Sequence, residues 1–209
     1  MKNILFFGDS NTFGSNPLGG RHPYEKRFTG RIHLALGPEY RVIEEGLGGR
    51  TTVFEDEIEQ GRCGRDALAM CIATHKPIDL LVIMLGTNDL KARFRPTDWD
   101  LARAMEQLLH IIDTYPYAPH FKKPQVLLIS PIEIGPRVAD CGFGCFTAQA
   151  AEQSKRFSRI YAQVAADAGI HFFDAATVAR PSAEDQLHMD SENHAKLAAA
   201  LETKIRDIL

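Results

Sequence analysis

The sequence lacks an excess of charge of either sign. Its 24 Lys and Arg stand against 27 Asp and Glu, a formal net charge of −3. Such a balance offers no field to hold a nucleic acid or an anionic membrane surface, and neither is expected as a partner. Long apolar runs are missing as well. No stretch approaches the roughly 18 consecutive apolar residues of a membrane helix. The short run from Ile4 meets Asp9 too soon to be an export signal with a small-residue cleavage site. Cysteine is sparse, with Cys63, Cys71, Cys141 and Cys145 the four in 209 residues. Four in a chain of this length without an export signal make no disulfide framework, and the expected compartment is the cytoplasm. Cys141 and Cys145 form a C-x3-C pair with no second pair of Cys or His at matching spacing, so no metal is expected. With no internal repeat, linker or low-complexity tract, residues 1–209 read as a single domain large enough for a sizeable core.

What is present is an alternation. The short apolar runs "ILFFG" (4–8), "YRVIEE" (40–45), "DLLVIMLG" (79–86), "QVLLIS" (125–130) and "IHFFDA" (170–175) read as five strands. The continuously apolar "LLVIML" suits a parallel strand covered on both faces. Between them lie segments with apolar residues at three- and four-residue spacing: "GRIHLALG", "RDALAMCIATHK", "DWDLARAMEQLLHIIDTY" and "AQAAEQSKRFSRIYAQVAADAG". A last such segment, "SENHAKLAAALETKIRDIL", has Asp190 or Ser191 as its N-cap. Strand followed by helix, repeated, predicts an α/β fold with a mostly parallel sheet and helices on both faces. The main irregular stretch, 135–147 ("GPRVADCGFGCFT"), is expected over one end of the sheet.

In open parallel sheets ligands bind beyond the carboxyl ends of the strands, so the residues that follow each strand matter most. After the first come Gly8-Asp9-Ser10-Asn11; after the second, Gly46-Leu47-Gly48-Gly49-Arg50; after the third, Gly86-Thr87-Asn88-Asp89. With strand order 2-1-3-4-5 these loops are neighbours. A serine at a strand tip can act as a nucleophile if a base takes its proton. A glycine-rich loop brings backbone N–H groups close to a reacting oxygen, and an Asn amide adds a donor, the parts of an oxyanion hole. The base should be a histidine oriented by an acid. "EDQLHMDSENH" offers Asp185 and His188 three residues apart, with His194 as the rival base. Asp9 reads as structural, accepting N–H groups of its own turn. Arg50 is a candidate anchor for its loop. Trp99, Phe94, Arg93 and Arg95 either line a substrate mouth or pack.

These blocks resemble the SGNH (GDSL-type) hydrolases. "FGDSNTFG", "EEGLGGRTT", "MLGTND" and "DQLHMD" are similar to the family's first, second, third and fifth blocks, in the family's order and across nearly the whole chain. "VIEEGLGGRTT" with "MLGTNDLK" is similar in detail to its aryl-esterase and acyltransferase branch. The resemblance implies a flavodoxin-like three-layer α/β/α sandwich with a five-stranded parallel sheet. It implies Ser10 as nucleophile, His188 as general base and Asp185 as its orienting acid. The oxyanion donors would be the N–H groups of Ser10 and Gly49 and the Asn88 side chain, with no cofactor. One departure stands out: Asn11 follows the serine where the family name has leucine. Gly49 holds a position that is alanine in several members, a difference expected to be harmless because only its N–H matters, and Gly48 is the alternative donor. Members of this branch form oligomers that narrow the entrance, which makes 135–147 a candidate contact in a homo-oligomer.

The function expected is a serine esterase that cleaves or transfers short acyl groups, acetyl first, from small-molecule esters. An acetyl-sugar deacetylase or a dedicated acyltransferase would use the same site. A different class, a flavodoxin-like domain holding a nucleotide or phosphate, would need G-x-G-x-x-G or G-x-x-x-x-G-K-[ST] in the first loop, and both are missing.

Overall fold

The run Leu80–Met84 is buried at all five positions, and the fold is arranged around it. The computed structural model describes residues Met1 to Leu209. Its five strands are β1 (Lys2–Gly8), β2 (Tyr40–Gly46), β3 (Leu80–Met84), β4 (Gln125–Ser130) and β5 (His171–Asp174). They form one sheet in the order β2-β1-β3-β4-β5, every pair parallel. This is the order in which the first three strand-end loops adjoin, and the architecture is the α/β/α sandwich expected.

Parity along each strand divides the core. Leu5 and Phe7, Leu81 and Ile83, and Val126 and Leu128 face one way, into a cluster with α3 (Gly64–His75), α4 (Asp98–Thr114) and α6 (Phe157–Ala168). Ile4 and Phe6, Leu80 and Val82, and Leu127 and Ile129 face the other, against α2 (Phe28–Leu36) and α7 (Ser191–Ile208). Both faces are apolar because successive side chains of a strand point oppositely. Each such side chain is worth about 1.5–3 kcal/mol when fully buried, so helices are needed on both sides. The helices meet this with matching stripes: Leu101, Met105, Leu108 and Ile112 on α4, and Leu197, Leu201 and Ile205 on α7.

One helical segment differs from its sequence reading. "AQAAEQSKRFSRIYAQVAADAG" is two helices, α5 (Ala148–Ser154) and α6, broken at Lys155 and Arg156. The Ser154 hydroxyl donates to the Ala151 carbonyl at 2.7 Å and accepts the Ile134 N–H at 2.9 Å. The side chain of Gln153 donates to the Pro96 carbonyl at 2.6 Å. A serine that bonds back into its own turn and a glutamine tied to another segment compete with straight continuation of the helix.

The register sets the site. Gly8 pairs with Gly46 on one side and with Met84 on the other, so β1, β2 and β3 end in one row. Immediately beyond, Ser10 opens the single-turn α1 (Ser10–Phe13), with the Asp9 carboxylate accepting the Asn11 N–H at 3.0 Å. A side chain at Gly8 would strike Thr12 and the Met84 carbonyl, and one at Gly46 would strike the backbone of Thr12 and Phe13. The turn that carries Ser10 therefore sits closer to the strands than any residue but glycine allows.

Candidate active site

Ser10 Oγ lies 3.0 Å from His188 Nε2, and His188 Nδ1 lies 2.6 Å from Asp185 Oδ2. The second carboxylate oxygen of Asp185 accepts the N–H groups of Leu187 at 3.0 Å and His188 at 2.9 Å. Burial pushes the Asp185 carboxyl up, but the hydrogen bonds from the His188 ring and from these N–H groups outweigh it and hold its pKa below the ordinary value. An ionised Asp185 is an acceptor only, so it fixes the imidazole with its proton on Nδ1 and its lone pair on Nε2 facing the serine. Between them Gln186 adopts φ +61°, a conformation that side chains resist. It is held there by the Gly135 N–H, which donates to its carbonyl at 2.7 Å, and by its own side-chain amide, which donates to the Ala183 carbonyl at 3.1 Å.

His194 is elsewhere. It is fully buried beneath Phe28, whose N–H donates to its Nδ1 at 3.2 Å, and burial pulls its pKa down to about 3. Its ring packs on Phe28 and His22.

The three strand-end loops are tied together by Arg50. Its guanidinium donates to the carbonyls of Gly8, at 3.0 Å, and Glu45, and lies over the Phe7 ring. Its own carbonyl accepts from Asn88 Nδ2 at 3.1 Å. One residue thus bonds the ends of β1 and β2 and the loop after β3. The N–H groups of Ser10, Gly48 and Gly49 donate to no acceptor in the structure and are free for a ligand oxygen. Gly49 has φ +79°, and a Cβ there would lie 2.8 Å from Glu59 Oε2. In this chain the left-handed φ at Gly49 suits glycine and would strain a residue that carries a Cβ.

Two buried acids lie behind the loops. Burial pushes Asp9 up to about 6, against the Asn11 N–H that favours its charge. Burial pushes Asp89 up to about 7, although the Thr52 hydroxyl at 2.6 Å and the Thr52 N–H at 2.8 Å both donate to it. Desolvation exceeds the hydrogen bonding at both.

Residues 6–197 match the sequence profile of the GDSL-like lipase/acylhydrolase family. The chain belongs to that family. This GDSL-like protein is a carboxylic ester hydrolase. It is similar over 100% of both chains to the native M. smegmatis aryl esterase, with 35% identity and a TM-score of 0.95. It is equally similar over 100% of both chains to Est24, a carbohydrate acetylesterase from Sinorhizobium meliloti, with 33% identity and a TM-score of 0.95. A lipase/acylhydrolase from Enterococcus faecalis, 22% identical, shares the fold with a TM-score of 0.72 over 99% of this chain and 96% of that one. A search of curated proteins finds no match.

Around Ser10 and His188 of this GDSL-like hydrolase, two irregular segments form the rim. Stretch 135–147 places the Phe143 ring 5.9 Å from the His188 ring at 67°, and the Cys145 carbonyl accepts the Ala92 N–H at 2.8 Å. The segment after Val53 is held by an ion cluster. Lys91 Nζ donates to Asp56 at 3.1 Å and to Glu59 at 2.8 Å, and Arg93 bonds the same two carboxylates. Phe94 packs on Phe54, whereas Trp99 is 67% exposed beside a groove lined by Val53, Phe54 and Arg103. All four cysteines are free. Cys63 brings its sulfur within 4.8 Å of carboxylate oxygens of Glu55 and Asp66, but burial pushes its thiol up, away from the thiolate a metal needs. No helix is long and apolar enough to cross a membrane.

Proposed function

We propose that this hydrolase cleaves short acyl esters, acetyl first, through Ser10, His188 and Asp185. The observation that carries the reading is the unbroken chain of contacts Ser10 Oγ to His188 Nε2 at 3.0 Å and His188 Nδ1 to Asp185 at 2.6 Å. His188 Nε2 takes the Ser10 proton as Oγ bonds to the ester carbonyl carbon. The carbonyl oxygen becomes an oxyanion held by the N–H groups of Ser10 and Gly49 and by Asn88 Nδ2. Collapse breaks the ester C–O bond, and the alcohol leaves with the proton from His188. Water then gives a proton to His188 and attacks the acyl-Ser10, and the acid departs as Oγ regains that proton. Asp185 stays ionised throughout and stabilises the imidazolium.

Short substrates are supported by the enclosure. Ser10 is 8% exposed and Phe143 stands against His188. The deciding experiment is hydrolysis of p-nitrophenyl acetate by the wild type and by Ser10→Ala, with folding checked by circular dichroism. Loss of activity in the variant is expected; equal activity in both would remove Ser10 from the mechanism. A series of longer p-nitrophenyl esters should show turnover falling with chain length. The similarity to a carbohydrate acetylesterase favours acetylated sugars as a second substrate group, tested by acetate release from an acetylated monosaccharide.

A further inference from the structure

Asn11 follows the nucleophile, where the family's first block has leucine, and its carboxamide faces the loop that carries His188. Its Oδ1 accepts the Met189 N–H at 3.0 Å, and its Nδ2 donates to the Leu187 carbonyl at 3.3 Å. Leu187 and Met189 flank His188, so one side chain grips the backbone on both sides of the base, 176 and 178 residues away in the chain. Asn11 is itself fixed: it is 2% exposed, and its N–H donates to Asp9 at 3.0 Å. The only other side-chain bond of this kind from the turn side is His22 Nε2 to the Met189 carbonyl, at 3.1 Å. Leucine could make neither Asn11 bond.

We infer that Asn11 is a positioning residue that clamps the base loop to the nucleophile turn and so sets the distance between His188 and Ser10. The inference rests on the proposed roles of those two residues. Asn11 touches no reacting atom. Its removal leaves the Leu187 carbonyl and the Met189 N–H without partners in a buried site, and the loop relieves this only by moving toward other donors or water. A displacement near 1 Å at a catalytic group costs up to about 10²-fold in rate.

The test is steady-state hydrolysis of p-nitrophenyl acetate by Asn11→Ala and Asn11→Leu. Both should lose kcat about 10- to 100-fold with KM changed by less than about threefold. Inactivation by an organophosphate that reacts with active serines should slow by the same factor. A kcat within about twofold of wild type in either folded variant overturns the inference, and so does a loss that lies wholly in KM, which would place Asn11 on the substrate. Hydrogen exchange on the unmutated protein judges the clamp even if neither variant folds. The Asn11 side-chain amide protons and the Met189 N–H should exchange slowly; rates like those of exposed amides would show the clamp open. Activity surviving in Ser10→Ala would overturn the proposed mechanism instead, and the exchange rates would still report on the clamp by themselves.

Discussion

One hydrogen of the Asn88 amide is engaged by the Arg50 carbonyl at 3.1 Å, which leaves the other for a ligand. A donor of this kind contributes only when charge develops on the substrate oxygen, so its removal falls on turnover. Asn88→Ala is expected to lower kcat on p-nitrophenyl acetate by about 10²–10³-fold with KM little changed. A loss below tenfold in the folded variant would mean that Asn88 acts as a loop tie and not as an oxyanion donor. At this scale the sequence marked the residues that the structure brings together at the strand ends, because Ser10, Asn88, Asp185 and His188 are chemically unusual where they stand. It marked Arg50 as an anchor of its loop but did not show which groups the holding residues grip. Arg50 reaches Gly8, and Asn11 reaches Leu187 and Met189, through side-chain bonds to backbone carbonyls and N–H groups. Backbone groups have no residue identity, so a pattern of residue types cannot announce such partners. The geometry at Gly49 was hidden for a related reason. Its φ and the approach of Glu59 belong to the folded loop, and "GG" alone reads as an ordinary turn.

The elements were more legible than their interruptions. β1, β3 and β4 are apolar on both faces and could be nothing but covered strands, and α4 carries its start in its own sequence. There Thr97 Oγ1 accepts the Asp100 N–H at 3.2 Å while Asp100 accepts the Thr97 N–H at 2.8 Å, a reciprocal cap that satisfies two donors with no intrahelical partner. Thr97→Ala should cost about 1 kcal/mol, read as a fall in melting temperature of about 2–4 °C for a chain of this size. Esterase activity should not change, since α4 enters the core through Leu101 and Met105 on its other side. An unchanged melting temperature would show that α5 and the ion pair of Arg156 with Asp98 hold that end without the cap. The break between α5 and α6 was invisible for the opposite reason. Its residues keep helical spacing, and only the tertiary bonds of Gln153 and Ser154 interrupt it.

For the whole molecule, the ionisable groups pull the pH dependence of stability in two directions. Asp56, Asp185 and Asp190 have folded pKa values below those of ordinary carboxylates. Their contribution is complete above an unfolded pKa of about 4 and is lost as pH falls below it. Asp9 and Asp89 act the other way. The folded chain holds their protons up to about 6 and about 7, whereas the unfolded chain releases them near pH 4. Between those values the folded state binds more protons, so stability falls as pH rises and the loss is complete above about pH 7. For Asp89 alone the loss is of the order of 4 kcal/mol. The melting temperature should therefore peak near pH 5 and decline toward pH 8. Asp89→Asn keeps an acceptor for the Thr52 N–H without a charge to bury, so its decline over the same range should be clearly shallower and its melting temperature at pH 8 higher than wild type. Parallel curves for the two proteins would mean that Asp89 is ionised in the folded state at pH 5. The two raised acids stand directly behind the turn of Ser10 and the loop of Asn88 because those loops converge in the interior, and the same burial that orders the site destabilises the charged forms of Asp9 and Asp89.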